Sequence, residues 1–352
     1  MKPEIKPLDK SRVEITSTIS ADTFETYRDA ALSAIGRRVK IDGFREGKVP
    51  PAMIEKQVGE MGVLEQMAEL AISDAYPTII VDNKIQAIGR PEIHIKKIAK
   101  GNELEFSIIT AVLPTVDLGD YKKIAKESNK GEISPEVTDD EIEGSIKELR
   151  QMRAHHLMHE AGVEHHDHNH ANIADENLPA FDDEFVKTLG AFESVEDFKT
   201  KMRENLKSEK VRMESEKKRV AMIDGIIEGA KIDVPDVLVD AELDKMMQQF
   251  AYDISMAGMT MDDYLKRIDK TEDSLKSEWR INAEKRAKMQ LILDKIATDE
   301  KLEPNDTEIQ AEVTKILEMY KDSQDVSEDR VRAYVTQILT NAKAFEYLEG
   351  LK

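Results

Sequence analysis

The charge pattern of one long helix constrains this fold more than any other feature of the sequence. Residues 194–229 have helical spacing, and Ser194 with Asp197 forms a capping-box-like start. Of the thirteen residues from Lys207 to Arg219, however, only two are apolar. A core cannot surround such a helix, so the sequence predicts that its middle part stands in solvent as an arm.

The overall composition favours helix in the rest of the chain as well. Charged residues make up 35% of the 352 residues and aromatic residues only 5%, which is typical of long solvated helices. A chain of this length has room for about two domains with cores of their own. The hydrophobic content of 40% argues against wholesale disorder.

Charge and cysteine content exclude several classes of function. The chain has no cysteine, which removes disulfides, thiolate metal sites and thiol catalysis. The net charge of -20 repels nucleic acid and anionic membranes, so any such contact requires a local basic patch. Because no apolar run reaches roughly 18 residues and no signal-peptide core is present, we expect a soluble cytoplasmic protein without membrane partners.

The first 112 residues have the pattern of a small α+β domain. Apolar and polar residues alternate along a strand from Val13 to Ile19, and two more strands follow around residues 93–95 and 104–108. Between them, helical spacing starts at Asp22 and again at Pro50, and a further helix is predicted to end at Pro77. We therefore predict a small antiparallel sheet with helices.

The remaining residues divide into a connector, a polar stretch and a helical domain. The connector spans residues 113–153 and includes a charged helix that starts at Thr138. The stretch 154–177 has almost no core-forming residues and is predicted to be a flexible loop. Residues 178–352 are predicted to form a mainly α-helical domain with protruding arms.

One loop between two predicted helices has an unusual composition. It reads Gly43, Phe44, Arg45, Glu46, Gly47, Lys48, Val49 and Pro50. Two glycines and a proline allow a tight turn that displays Phe44, Arg45 and Lys48. An exposed phenylalanine is costly unless a partner receives it, so the residues leave two interpretations open: a binding loop, or a tight connection whose ring folds inward.

Acidic charge is segregated away from this loop. Residues 37–48 hold five basic and two acidic side chains, and residues 1–112 hold 16 basic and 17 acidic side chains. The rest of the chain therefore carries -19 of the net charge of -20. A nearly neutral domain with a basic, aromatic loop can approach a phosphate-rich surface while the acidic remainder stays away.

Histidines are concentrated in the polar stretch and could ligate a metal. Seven of the eight histidines lie within residues 155–170, and six of them are candidate ligands for zinc or nickel. These candidates are His155, His159, His165, His166, His168 and His170. Their irregular spacing is more typical of adventitious binding by a linker, and no cofactor is expected.

Methionines are clustered at the end of a predicted helix that starts near Pro235. Methionine is flexible and polarizable, so Met247, Met256, Met259 and Met261 are candidates for an adaptable binding surface. Ordinary packing is the competing interpretation. Trp279 is predicted to be a core anchor between helices rather than a stacking platform.

The string GFREGKVP of residues 43–50 resembles the signature of trigger factor, a bacterial ribosome-associated chaperone family. Two further segments are similar to the helical domain of that family, namely LPAFDDEFVKTLG at residues 178–190 and the pattern from Met259 to Arg286. The resemblance covers about 310 of the 352 residues. It implies that residues 43–48 form a ribosome-binding site, with Phe44 and Arg45 as the contacts beside the tunnel exit.

Two departures from the family pattern affect this expectation. Glu46 occupies a position that is often lysine in the family, which weakens the expected attraction to RNA. The family also inserts a peptidyl-prolyl isomerase domain of the FK506-binding type, whereas only residues 154–177 occupy that place here. This stretch is shorter than the roughly 40 residues that an unaided core needs, so we expect no isomerase activity.

The resemblance thus implies an ATP-independent holdase that docks on ribosomal protein and RNA and shelters nascent polypeptides. The chain has no phosphate-binding loop, nucleophile elbow or HExxH motif that would support an enzymatic alternative. A homodimer away from the ribosome is suggested by the resemblance alone. A ribosome-independent assembly chaperone, a histidine-rich metal-binding protein and a proline isomerase stay open as alternatives.

Overall fold

The described part of the chain begins with a small sheet and continues almost entirely in helices. The computed structural model describes residues 3–40, 49–130, 135–160, 178–320 and 327–352. Their elements are β1 Glu4–Leu8, β2 Arg12–Ile19, α1 Ala21–Glu25, α2 Arg28–Arg38, α3 Pro51–Asp82, β3 Ala87–Lys97, β4 Leu104–Val112, α4 Tyr121–Asn129, α5 Asp139–Glu160, α6 Asp183–Leu189, α7 Val195–Gly229, α8 Asp236–Met256, α9 Met261–Arg267, α10 Glu272–Glu300, α11 Asp306–Met319 and α12 Glu328–Gly350. The predicted fold class, an α+β domain followed by a mainly helical one, is confirmed.

Two compact units make up the chain, and neither is continuous in sequence. The first combines Met1–Gly119 with Ile227–Ala344, and the second combines Asp120–Ile226 with Phe345–Lys352. The N-terminal sheet therefore belongs to the same unit as helices α8 to α11. The sequence did not predict this grouping, because it depends on contacts between segments more than 100 residues apart.

The sheet places its apolar rows on one face. All neighbouring strands are antiparallel in the order β1-β2-β4-β3, with Ile15 paired to Ile5 on one side and to Ile108 on the other. Ile15 and Ile108 are fully buried, whereas Ile5 and Ile93 on the edge strands are partly exposed. Directly opposed residues share a face, so the helices cover the centre of the sheet and leave its edges less protected.

The predicted strand from Val13 to Ile19 is confirmed as part of β2, but β1 was not predicted. β1 has five residues, all of them exposed, and it includes Pro7. Pro7 has no amide proton to donate to the ladder, and the segment has no buried apolar face, so its sequence does not identify it as a strand. Its pairing with β2 supplies the structure instead, as is usual for a short edge strand.

Helix α3 covers the sheet and departs from the prediction at two points. Gly59 has φ 75° and ψ 163°, so the helix is kinked there, consistent with the two separate helices predicted. The prediction that helix ends at Pro77 is wrong, because α3 continues to Asp82. Ile79 lies beyond the proline and is buried in the core. Its burial offsets the free-energy cost of the backbone hydrogen bond that is missing because Pro77 has no N–H.

Other boundaries also differ from the sequence-based predictions. The single helix predicted from Asp22 is broken, with Ser20 rather than Asp22 as the N-cap of α1. The short helix α4 was not predicted. The predicted loop from residue 154 begins too early, because α5 extends to Glu160 and Ala154 is buried within it. Residues 161–177 lie outside the described part of the chain.

Replacing Met67 by alanine is expected to destabilise the first unit by about 2–5 kcal/mol. Met67 of α3 is fully buried in the core, and removal of its side chain leaves a cavity. Met61 lies on the same helix and is 55% exposed, so Met61→Ala should change the free energy of unfolding by less than about 0.5 kcal/mol. Urea unfolding followed by circular dichroism measures both. Equal losses for the two variants would contradict the burial of Met67 in the core.

Candidate docking hairpin and client-binding surfaces

The predicted docking loop joins α2 to α3, and its tip lies outside the described residues. The six residues concerned are Gly43, Phe44, Arg45, Glu46, Gly47 and Lys48. Both ends of the loop are described. The Val39 amide donates to the Ile35 carbonyl at 3.0 Å and its side chain packs against the core, while Val49 is buried. The chain therefore leaves the core of residues 1–112, which we call the head, at Val39 and rejoins it at Val49.

The two helices that carry the loop approach each other closely. A Cβ atom on Gly36 would lie 2.9 Å from the Ile54 Cδ1 atom, so glycine allows α2 and α3 to pack at this distance. Arg37 and Arg38 lie in the last turn of α2 and are exposed. Cations are favoured at a helix C-terminus, and these two add positive charge beside the loop.

A guanidinium group on α2 holds both parts of the kinked helix α3. The Nη2 atom of Arg28 donates to Glu55 Oε1 at 2.6 Å, and its Nη1 atom donates to Glu60 Oε1 at 2.9 Å. Glu55 and Glu60 lie on opposite sides of Gly59 in sequence. The Arg28 side chain is only 16% exposed. Arg28 therefore fixes the short segment between the docking loop and the kink against α2.

We call the ion pairs of Arg28 with Glu55 and Glu60 the Arg28 clamp. The clamp also changes the acidity of Glu60. The hydrogen bond from Arg28 lowers the pKa of the Glu60 carboxyl, and Lys100 assists with its Nζ atom 3.4 Å from Glu60 Oε1. A carboxyl whose pKa is lowered by folding stabilises the fold above its unfolded pKa, and this contribution is lost as the pH falls toward the folded pKa. The clamp is thus expected to weaken in acid.

The hairpin of α8 and α10 has its own apolar core with an aromatic cluster at one side. The Trp279 ring lies 5.1 Å from the Phe250 ring of α8, and the Tyr264 ring of α9 lies 5.2 Å from the same Phe250 ring. Both contacts are edge to face. Trp279 packs against the buried residues of this hairpin. The prediction that it anchors helices is confirmed.

The four candidate methionines lie in different surroundings. Met247 is buried, so its side chain is not accessible to a client in this conformation. Met256 is 72% exposed, and Met259 and Met261 are partly buried. Of the four, Met256 therefore offers the most accessible apolar surface.

Several exposed apolar side chains on helices α8 to α12 were not predicted as candidates. They are Tyr252 on α8, Ile281 on α10, Met319 and Tyr320 at the end of α11, and Tyr334 and Ile338 on α12. Ile281 is 79% exposed. A signal was present, because the buried residues Leu275, Ala283 and Ala287 define an apolar stripe from which Ile281 is displaced.

The second unit contains a phenylalanine cluster formed by residues between positions 181 and 198. Phe181, Phe185, Phe192 and Phe198 form edge-to-face pairs with ring separations of 4.8 to 5.7 Å. A cavity of about 220 Å³ opens beside Phe192 and Phe198.

Most of the candidate metal ligands lie outside the described residues. His155 lies on α5 and is partly buried, His159 is on the same helix, and His165, His166, His168 and His170 lie outside the described residues. Within the described ranges, no group of three or more His, Asp or Glu side chains is placed to hold a metal ion. In the same ranges, no helix is long and apolar enough to cross a bilayer.

Comparison with known proteins identifies the family to which this chain belongs. The family model for the bacterial trigger factor protein (TF) matches residues 1–149, and the model for the trigger factor C-terminus matches residues 194–349. The chain belongs to the bacterial trigger factor family. Trigger factor of Halothermothrix orenii is 28% identical, with 100% of this chain and 96% of that protein covered. Trigger factor of Bacillus subtilis is 27% identical, with 87% and 89% covered.

A solved structure of a trigger factor chaperone, described in terms of promiscuous substrate recognition in folding and assembly activities, has the same fold. Its TM-score is 0.52 at 16% identity, with 100% of both chains covered. The alignment to the Halothermothrix orenii trigger factor spans 425 positions, whereas this chain has 352 residues, so at least 73 positions have no counterpart here. The two family models leave residues 150–193 between them, which fits a trigger factor without the isomerase domain.

Replacing Arg28 by methionine is expected to destabilise the first unit by roughly 1–3 kcal/mol at neutral pH, because two carboxylates lose their partner. Arg37→Met, on an exposed position of the same helix, is the matched control and should have little effect. The difference between wild type and Arg28→Met should shrink as the pH is lowered from about 6 to about 3, since Glu60 becomes protonated. Urea titrations at several pH values measure it, and a difference independent of pH would contradict the clamp.

Proposed function

We propose that this chain is an ATP-independent chaperone that docks on the ribosome and shelters nascent polypeptides. The observation that carries the proposal is the match of both trigger factor family models to a single chain, at its N-terminal and C-terminal parts. Exposed apolar side chains on the arms give this chain a surface suited to unfolded polypeptide. The cytoplasm, where ribosomes work, is the proposed location.

The docking role is assigned to residues 1–112, with Phe44 and Arg45 as the contacts. Support comes from the two ends of the loop. Val39 and Val49 belong to the core of the head, and Arg28 fixes the segment that follows the loop. Arg37, Arg38, Arg45 and Lys48 supply positive charge for ribosomal RNA, which Glu46 reduces. A nearly neutral head on an acidic chain favours contact through this loop.

The client-binding role is assigned to residues 178–352. Exposed apolar residues occur there on separate helices, such as Met256 on α8, Ile281 on α10 and Ile338 on α12. Each such side chain contributes about 1.5 to 3 kcal/mol when a client covers it, before the cost of ordering the client. Many weak contacts suit varied, extended clients and allow release without a nucleotide.

An isomerase function is not part of the proposal. The only stretch between α5 and α6 is residues 161–182, fewer than the roughly 40 residues that an unaided core requires. A prolyl isomerase must enclose a proline ring in an apolar pocket. We propose that chaperone activity alone has been kept, with the stretch between α5 and α6 in the place of the inserted domain.

Removal of the docking contacts should weaken ribosome binding. We expect Phe44→Ala with Arg45→Ala to weaken co-sedimentation with isolated ribosomes by at least about tenfold, because one aromatic anchor and one phosphate contact are lost. Lys84→Ala, at an exposed lysine elsewhere in the head, is the control. Wild-type binding by the double variant, or no binding by the wild-type chain, would favour a ribosome-independent chaperone instead.

Client protection should depend on the exposed apolar residues of the arms. Met256→Ser with Ile281→Ser is expected to reduce the suppression of aggregation of a denatured test protein about threefold to tenfold, since two side chains lose apolar contact area. Met61→Ser with Val81→Ser removes similarly exposed side chains from the head and serves as control. Light scattering during refolding gives the comparison, and equal effects of both pairs would reject the assignment.

The chain should not accelerate prolyl isomerisation. In a protease-coupled assay with a short proline-containing peptide, we expect the uncatalysed relaxation time of tens to hundreds of seconds at 25 °C to be unchanged by stoichiometric protein. An active prolyl isomerase of the FK506-binding type serves as the positive control. A measurable acceleration would reverse the conclusion drawn from the chain length between α5 and α6.

A further inference from the structure

The connection between α7 and α8 runs along the N-terminal head. We call residues 231–237 the collar. Lys231 forms an antiparallel bridge with Asp117, with N–H to O=C distances of 2.9 Å and 3.2 Å in the two directions. The collar thus begins with two backbone hydrogen bonds to the chain that leaves the head sheet.

The turn between β1 and β2 makes the next set of contacts with the collar. The Ser11 amide donates to Asp233 Oδ2 at 2.9 Å, and the Ser11 hydroxyl donates to the Asp233 carbonyl at 2.6 Å. The Lys10 Nζ atom lies 2.8 Å from Asp236 Oδ2 and 3.0 Å from Oδ1. Arg280 on α10 donates to the same Asp236 carboxylate, which therefore links the head to the α8–α10 arm.

The backbone of this turn is in an unfavourable conformation. Lys10 has φ 59° and Ser11 has φ 46°, whereas glycine or asparagine usually occupies such positions in tight hairpins. Residues held in this region persist when their surroundings fix them, and they are frequent at functional and switching segments. Here the surroundings that hold Lys10 and Ser11 are the collar residues Asp233 and Asp236 together with the Val112 amide, which donates to the Ser11 carbonyl at 2.8 Å.

A third contact brings the head sheet against the first turn of α8. A Cβ atom on Gly89 would lie 2.7 Å from Val237 Cγ2 and 3.5 Å from Val237 Cβ. Gly89 has φ 71°, in the region that favours glycine. Position 89 therefore accepts close approach of α8 because it has no side chain.

These contacts are mainly polar, and the charged ones are open to solvent. The side chains of Lys10 and Asp236 are 53% and 44% exposed. Ion pairs with this exposure are individually weak and are screened by salt. The joint is therefore specific in geometry but easily opened, unlike the apolar cores on either side of it.

We infer that the collar is a salt-sensitive latch that fastens the N-terminal head to the α8–α10 arm. With the latch closed, head and arm move as one body. When salt screens the Lys10–Asp236 pair, the remaining contacts at Ser11 and Gly89 open more often, and the head then moves relative to the arm. The inference goes beyond the proposed function, because it concerns how two parts of this chain are joined whatever each of them binds.

The absence of cysteine allows a direct test by cross-linking the full chain. Gly89→Cys with Val237→Cys places two Cβ atoms about 3.5 Å apart, within the range of disulfides, and no native thiol competes. The rate of disulfide formation under a fixed oxidant reports how often the latch is closed. We expect raising NaCl from about 0.05 M to about 1 M to slow it at least threefold.

Single substitutions at Lys10 assign the effect to the latch. Adding Lys10→Met to the cysteine pair should slow cross-linking at low salt at least threefold and remove its salt dependence, whereas Lys10→Arg should restore both. Lys6→Met, at a neighbouring exposed lysine of the same hairpin, is the control. Cross-linking that does not respond to Lys10 or to salt, or that fails in a folded variant, would overturn the inference.

Hydrogen exchange on the wild-type chain provides a second measurement that does not depend on strained cysteines. The Ser11 amide is bonded to Asp233, so peptides covering residues 9–12 should exchange at least threefold faster in high salt. The amide of Ile15, within the β1–β2 pairing, should be unaffected. Uniform exchange at both salt concentrations would contradict a latch. Neither measurement involves ribosomes or clients, so its outcome is independent of the proposed function.

Discussion

The whole structure depends on a shortage of apolar side chains along its helices. Helix α7 has Phe198 near one end and Met222, Ile223 and Ile226 near the other, with no buried residue between them. A helix of this kind cannot bury one continuous stripe, so it cannot lie within one large core. The described residues accordingly pack in separate clusters, such as those around Ile15 in the head, Val239 in the α8–α10 hairpin and Val313 between α11 and α12.

Small separate cores have a functional consequence, because they leave apolar residues near their borders exposed. Here Met256 and Ile281 lie on helices whose other faces are already packed. The fold therefore combines stable hairpins with accessible apolar surface, and the strongly acidic composition helps to keep that surface soluble.

The sequence predicted what depends on local pattern and missed what depends on distant contacts. Capping residues located α9 and α10 correctly, since Thr260 and Thr271 accept hydrogen bonds from the amides of residues three positions later. It missed β1, whose structure comes from pairing with β2, and the continuation of α3 past Pro77, which follows from burial of Ile79. The joint at Asp233 could not be predicted, because its partner Ser11 is 222 residues away.

Helices α5 and α7 flank most of the residues that neither family model matches. These two helices cover part of each other's surface. Ile142 and Ile146 of α5 pack with Phe185 and Phe198 in one cluster, and Lys210 of α7 lies 2.6 Å from Glu141 on α5. The second unit therefore has an apolar core of its own, although Met152 and Leu157 of α5 stay exposed.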